Sequence, residues 1–225
     1  MLRAYTIKCL DSLLSIINWL VTRGCSRLEP FPSLQDEFPE GALLERHWRD
    51  IRKEALHLVS VQCPAAGSLS RNLFGNASLA WKANILKFYN YKHPNFQFNA
   101  DLCPKTMALL TQLPRVRLAM FSILEPGARI YPHTGLFRGC VRYHLGLSVP
   151  QDRNRCELQV NNQIYHWKEG EGILFDDTYV HEVHNRTNER RIVLFCDVQR
   201  SLPFLPNLLN GWLCNSVFPG LLFEM

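Results

Sequence analysis

Apolar residues recur at helical spacing in the first half of the chain and at alternate positions in the second. In residues 9–22, Leu10, Leu13, Leu14, Ile17, Leu20 and Val21 mark one face and Asp11, Ser15, Asn18 and Thr22 the other, which predicts an amphipathic helix. The apolar run is too short to span a bilayer, and Asp11 and Arg23 bound it. A signal peptide fits poorly, because Asp11 interrupts the run and no small-x-small cleavage site follows. Two placements remain for such a helix. It packs on its own domain, or it lies on a membrane surface with Trp19 near the headgroups. Residues 24–40 carry Gly24, Pro30, Pro32 and Pro39 and read as a loop. Residues 41–58 return to helical spacing, with Leu43, Leu44, Trp48, Ile51, Ala55 and Leu58 as the stripe. Residues 60–100 are irregular and the most aromatic part of the chain, with Trp81, Phe88, Tyr89, Tyr91, Phe96 and Phe98. A further helix is expected from Pro104 to about Leu113, opened by its proline and closed before Pro114.

From residue 117 the period becomes two. LAMFSIL, ARIYPH, CVRYHLGLSV, CELQV, QIYHW, GILFDD and RRIVLFCDV read as short strands separated by turn residues. Strands of this length and spacing predict a mainly β fold, a double-stranded β-helix or jelly roll, with the N-terminal helices layered on the outer face of one sheet. The tail, residues 201–223, carries no charge and is broken by Pro203, Pro206, Gly211, Pro219 and Gly220, which argues against a spanning helix. It could wrap the domain or dip into a bilayer.

Composition narrows the picture. The chain has 225 residues, enough for one well-buried domain. The formal net charge of +5 suits an anionic surface or substrate, but no Lys/Arg run is interleaved with aromatics, so nucleic acid is not an expected partner. Eight cysteines are scattered with no C-x-x-C pair, so the expectation is reduced, mostly buried thiols and a cytoplasmic protein. Asn76-Ala-Ser and Asn185-Arg-Thr fit the glycosylation triplet, a pattern that arises often by chance.

Two histidines stand out by context. His133 ends a β-patterned run and is followed by Thr134 and Gly135, while His181 follows a glycine-opened strand and Asp176-Asp177. Strands distant in sequence meet at the mouth of a jelly roll, and neutral imidazoles there suit iron, copper, nickel or zinc. The usual non-haem iron site adds a carboxylate two residues after the first histidine, where this chain has Gly135. Alternation places Arg142 and His144 on the inner face of one strand and Arg191, Val193, Phe195 and Asp197 on one face of another. An arginine on a buried strand face needs an anionic partner, either a carboxylate of the fold or a dicarboxylate bound beside the metal.

The segments FSILEPGARIYPHTG, RYHLGLSVP, FDDTYVHEVHN and RRIVLFCDV, in that order and spacing, resemble the aspartyl/asparaginyl β-hydroxylase family over about residues 80–200. The resemblance implies a jelly-roll Fe(II)/2-oxoglutarate-dependent dioxygenase that also uses O2. It implies His133 and His181 as the catalytic iron ligands, with glycine where other oxygenases have an acid. Ser122, Arg142, His144 and Arg191 match positions that contact 2-oxoglutarate or shape its pocket, Arg191 meeting the distal carboxylate. Asp176, Asp177 and Glu182 are candidate partners for the metal histidines, although a simple turn is the preferred reading of the two aspartates. The expected organisation is an amphipathic helix and linker over 1–40, a dioxygenase domain over 41–200 and an apolar tail over 201–225. Within the domain, a helical layer covers 41–116 and the jelly-roll core 117–200.

The family's substrates include peptides, free amino acids and, in bacterial relatives, lipid acyl chains. His133-Thr134-Gly135 looks closer to the peptide branch, so β-hydroxylation of an aspartyl or asparaginyl residue is the first expectation. The apolar ends, residues 9–22 and 201–223, point instead to a lipid A-type acyl chain and to peripheral contact with the inner membrane surface. Two readings of another class are a non-catalytic jelly-roll binding module, which His181-Glu-Val-His184-Asn185 echoes, and a membrane-associated scaffold.

Overall fold

The computed structural model describes residues 15–16, 18–24, 28–61 and 80–217. The first part of the helix expected at 9–22, Asn76, Cys9, Cys25, Cys63 and the end of the tail lie outside the described residues. After the helical residues 18–24 come three helices: α1 (Leu34–Glu37), α2 (Gly41–Arg46) and α3 (Trp48–Ser60). Strand β1 (Trp81–Phe88) and helices α4 (Pro94–Asp101) and α5 (Pro104–Thr111) follow. Eight strands complete the core: β2 (Val116–Leu124), β3 (Arg129–His133), β4 (Cys140–Ser148), β5 (Cys156–Val160), β6 (Gln163–Tyr165), β7 (Gly172–Phe175), β8 (His181–Asn185) and β9 (Arg191–Gln199). Helix α6 (Phe204–Trp212) and a π-helical turn (Leu213–Val217) end the described chain.

The strands form two antiparallel sheets, β1-β2-β9-β4-β7 and β3-β8-β5-β6, the two walls of the expected jelly roll. Period-two alternation divides the apolar residues into two cores. Inside the barrel, Met120, Val193 and Phe195 meet Leu158, Val160 and Val183 of the smaller sheet. Outside it, Phe121, Tyr143, Leu145 and Leu194 pack under the helical layer. That layer forms because Ile51, Ala55 and Leu58 recur on one face of α3 and are fully buried there. Burying each large aliphatic side chain contributes about 1.5–3 kcal/mol. Pro104 starts α5, and Glu54 of α3 caps it, accepting from the backbone of Lys105 and Thr106, each at 2.8 Å.

Two strands escape the alternation pattern. β1 lies in a stretch that reads as irregular and within the expected helical layer, because six of its eight residues are buried and both its faces are covered. β8 reads HEVHN, whose polar residues hide a strand in which only Glu182 is half-exposed. The N-terminal helix also differs from its expected orientation. Asn18 and Thr22, placed on the solvent side by periodicity, bind the loop between β3 and β4: Asn18 donates to the Leu136 carbonyl (2.9 Å) and accepts from the Arg138 amide (2.9 Å). Val21 enters the barrel core, whereas Trp19 is 52% exposed.

Candidate functional site

β3 and β8 are neighbours, and their register sets His133 directly opposite His181. The two ring centroids are 4.0 Å apart. Each imidazole is held in the same way. His133 Nδ1 lies 2.8 Å from the Tyr131 carbonyl, and His181 Nδ1 lies 3.0 Å from the Tyr179 carbonyl. A carbonyl can only accept, so each Nδ1 carries the hydrogen and each Nε2 offers a lone pair. Burial lowers both pKa values, that of His181 to about 3, with Arg142 and His133 adding to the shift. Both rings are therefore neutral, the state that ligates metal.

The inner faces of β2, β4 and β9 form the opposite wall. Ser122, Arg142, His144 and Arg191 line one narrow pocket with His133 and His181, so all six residues picked out in the sequence converge. Arg191 is 1% exposed, and among the described residues neither its Nε nor its Nη1 has a hydrogen-bond partner. Its guanidinium lies 4.8 Å over the Trp167 ring, and burial alone pulls its pKa down to about 10. A buried cation without a counter-ion is costly, so this end of the pocket fits an anion. Both ring nitrogens of His144 are likewise unpartnered, and burial, then Arg191, holds this imidazole neutral. Ser122 accepts from Trp81 Nε1 at 2.9 Å, which leaves its own hydroxyl hydrogen free to donate.

Arg142 plays a different part from Arg191. It pairs with Asp177 (2.8 Å) and Asp197 (3.6 Å), which satisfies its charge within the fold. Burial opposes ionisation of Asp197 and raises its carboxyl to about 6, with Arg142 pulling the other way. Gly135 has no side chain for a steric reason: a Cβ there would meet Asp177 Oδ2 at 1.9 Å. The carboxylate of Asp177 thus occupies the space of the missing ligand, while the Gly135 amide donates to the Asp177 carbonyl at 2.7 Å.

The acidic side chains expected to partner the two histidines are engaged elsewhere. Asp176 pairs with Arg200 and accepts from Thr178, closing a turn. Glu182 projects to the opposite face of β8 from His181 and binds Arg129 (2.6 Å) and His184 (2.8 Å). Backbone carbonyls orient the histidines instead. Asn185 is buried, donates to three carbonyls and accepts from Thr187, a structural clasp that leaves no room for a glycan. Sequence reasoning missed Trp81 and Trp167, whose roles arise from contacts spanning strands far apart.

The two histidines are a fitting donor set for a metal that accepts few protein ligands. Among the described residues no cluster of three or more His, Cys, Asp or Glu could hold a metal ion. The unpartnered atoms of Arg191 and His144 fit an anionic co-ligand beside it.

Residues 45–201 match the model of the aspartyl/asparaginyl beta-hydroxylase family. The chain is 34% identical to an ornithine lipid ester-linked acyl 2-hydroxylase of Rhizobium tropici, over 79% of this chain and 63% of that protein. It is 31% identical to the human aspartyl/asparaginyl beta-hydroxylase, over 71% of this chain and 22% of that one. The chain thus spans less than two thirds of the length of either relative. Among solved structures, a Pseudomonas putida prolyl-4-hydroxylase aligns with 84% of this chain and 99% of its own at 15% identity, with a TM-score of 0.44. The chain belongs to the aspartyl/asparaginyl β-hydroxylase family and has a mainly β, jelly-roll architecture.

Proposed function

We propose that the chain is an Fe(II)/2-oxoglutarate-dependent hydroxylase, with iron held by His133 and His181 and the distal carboxylate of 2-oxoglutarate by Arg191. One observation carries this reading: a buried, unpartnered guanidinium shares a pocket with two neutral histidines whose Nε2 atoms are free. When bound, iron and 2-oxoglutarate supply the oxidising chemistry, in which O2 is consumed, the oxoacid becomes succinate and CO2, and a substrate C–H bond gains a hydroxyl. The protein supplies the rest. Arg191 gives a bidentate fork for the carboxylate, and the Ser122 hydroxyl and one His144 nitrogen are placed to add hydrogen bonds. Phe175, Phe195, Ile130 and Val183 keep the pocket dry, which strengthens those contacts. Arg142, fixed by Asp177 and Asp197, positions the wall beside the histidines. The test is a titration of 2-oxoglutarate into metal-loaded wild type and Arg191→Ala. The variant should bind on the order of a hundredfold more weakly; equal affinity removes the role given to Arg191.

For the substrate, we propose an acyl chain of a membrane lipid in place of the aspartyl or asparaginyl residue expected first. Phe204, Leu208 and Trp212 form one stripe along α6 and are 76%, 57% and 55% exposed. Trp19 and Ile16 expose a second apolar face, with Arg23 lying over Trp19 at 4.2 Å. Such faces suit peripheral contact with a bilayer, and no helix among the described residues is long and apolar enough to cross one. The relative named for ornithine lipid hydroxylation also covers more of this chain than the human protein does. The peptide reading retains the support of His133-Thr134-Gly135. Succinate release with lipid extract, against release with aspartyl peptides, decides between them. Substituting Phe204, Leu208 and Trp212 together by Ser should move the protein from membranes to the soluble fraction; unchanged fractionation counts against the membrane reading.

A further inference from the structure

A second cavity lies away from the histidine pair, between edge strand β1 and helices α4 and α5, with a volume of about 300 Å³. That is the lower end of the range for small-molecule sites. Phe88, Tyr91, Phe96 and Leu110 form its walls, and Lys87 and Lys92 stand on its lining. Among the described residues no carboxylate lines it. Lys87 is half-buried, and among the described residues its side-chain ammonium makes no hydrogen bond or ion pair. Burial and the nearby Arg117 both disfavour its charge, so an anion placed there would be welcome.

The backbone argues against a peptide occupant. Strand addition needs free edge groups on β1, but Asn99 Nδ2 already donates to the Ile85 carbonyl at 2.9 Å, and Phe88 bridges back to Tyr91. An apolar chain needs no such partners. Tyr89 also lines the groove. It adopts a left-handed backbone (φ 47°), and its hydroxyl lies 3.5 Å from Asp197, which in turn pairs with Arg142 in the wall of the reaction pocket. Holding a non-glycine residue in that region costs of order 1–3 kcal/mol, and such strain clusters at functional sites.

We propose that this groove is a second binding site, taking a single-chain amphiphile with its apolar chain against Phe88, Phe96 and Leu110 and its anionic head on Lys87 and Lys92. The site is separate from the reaction pocket and does not depend on the iron reading. The test is calorimetric titration of the purified protein, without iron or 2-oxoglutarate, with dodecanoate and with uncharged dodecyl maltoside, each below its micelle concentration. Dodecanoate should bind saturably and at least tenfold more tightly than the maltoside. Lys87→Gln should weaken dodecanoate about tenfold and leave the maltoside unchanged. Lys87→Arg should restore it, and Ala100→Phe, which fills the groove, should abolish both. Arg191→Ala should bind dodecanoate like the wild type; if it does not, the carboxylate sits in the reaction pocket and the proposal fails. It also fails if wild type shows no saturable binding or if Lys87→Gln titrates like wild type. The Lys87 variants alter a half-exposed side chain, so the test survives even if Ala100→Phe does not fold.

Discussion

The two ends of β9 hold two fully buried arginines in opposite conditions. Arg200, just beyond the strand, pairs with Asp176 and donates through Nε to the Arg138 carbonyl at 2.8 Å. Arg191, at its head, has two guanidinium nitrogens with no partner among the described residues. One end is a closed network of Asp176, Arg200, Asp177, Arg142 and Asp197, and the other is open. A buried charge that the fold satisfies holds the fold together. One that it leaves unsatisfied costs stability unless an anion binds there, the role proposed for Arg191.

The contrast breaks most sharply by removing each arginine in turn. Arg200→Ala strands the Asp176 carboxylate without a counter-charge and should cost about 3–5 kcal/mol of stability, measurable by urea unfolding. A loss below about 1 kcal/mol would show that water reaches this end and that the network is not what closes it. Arg191→Met should do the reverse. Removing an uncompensated buried cation should leave unfolding stability unchanged or raised by about 1 kcal/mol without cosubstrate, while 2-oxoglutarate affinity falls by about 2–5 kcal/mol. A large loss of stability instead would assign Arg191 to the structure.

This division was half legible in the sequence. Alternation along β4 and β9 put Arg142, His144 and Arg191 inside, because a sheet with a core on each side forces every other residue inward. It could not tell Arg142, which the fold satisfies, from Arg191, which it does not. The difference lies in Asp177, 35 positions from Arg142 in the chain and beside it only through the turn after β7. Trp81 on Ser122 and Asn18 on Leu136 escaped for the same reason, since each joins elements far apart in sequence. The histidines were legible as a pair, but their orientation by carbonyls rather than by acids was not, since every residue carries a carbonyl.

Gly135 sharpens the account of the closed end. With a Cβ meeting the Asp177 carboxylate at 1.9 Å, Gly135→Ala must displace a buried, paired oxygen. The expected cost is about 3 kcal/mol, the upper range for overpacking. In an Asp177→Gly background the same change should be nearly neutral, because the obstructing atoms are gone. Equal costs in both backgrounds would show that backbone conformation, and not the carboxylate, demands glycine.

The smallest effect is a pH dependence centred on Asp197, a member of the closed end. Burial raises its carboxyl to about 6, against about 4 in the unfolded chain. Between those values the native state holds a proton that the unfolded state has lost, so this group makes wild-type stability fall as pH rises from about 4 to about 6, and contributes no further slope above. Asp197→Asn lacks that slope. Measured against wild type by urea unfolding, its relative stability should therefore rise by on the order of 2 kcal/mol between pH 4 and pH 7. A difference that stays constant across that range would mean that the ion pair with Arg142 fully offsets burial. The closed end would then hold its charges at no cost, and the contrast with Arg191 would be larger still.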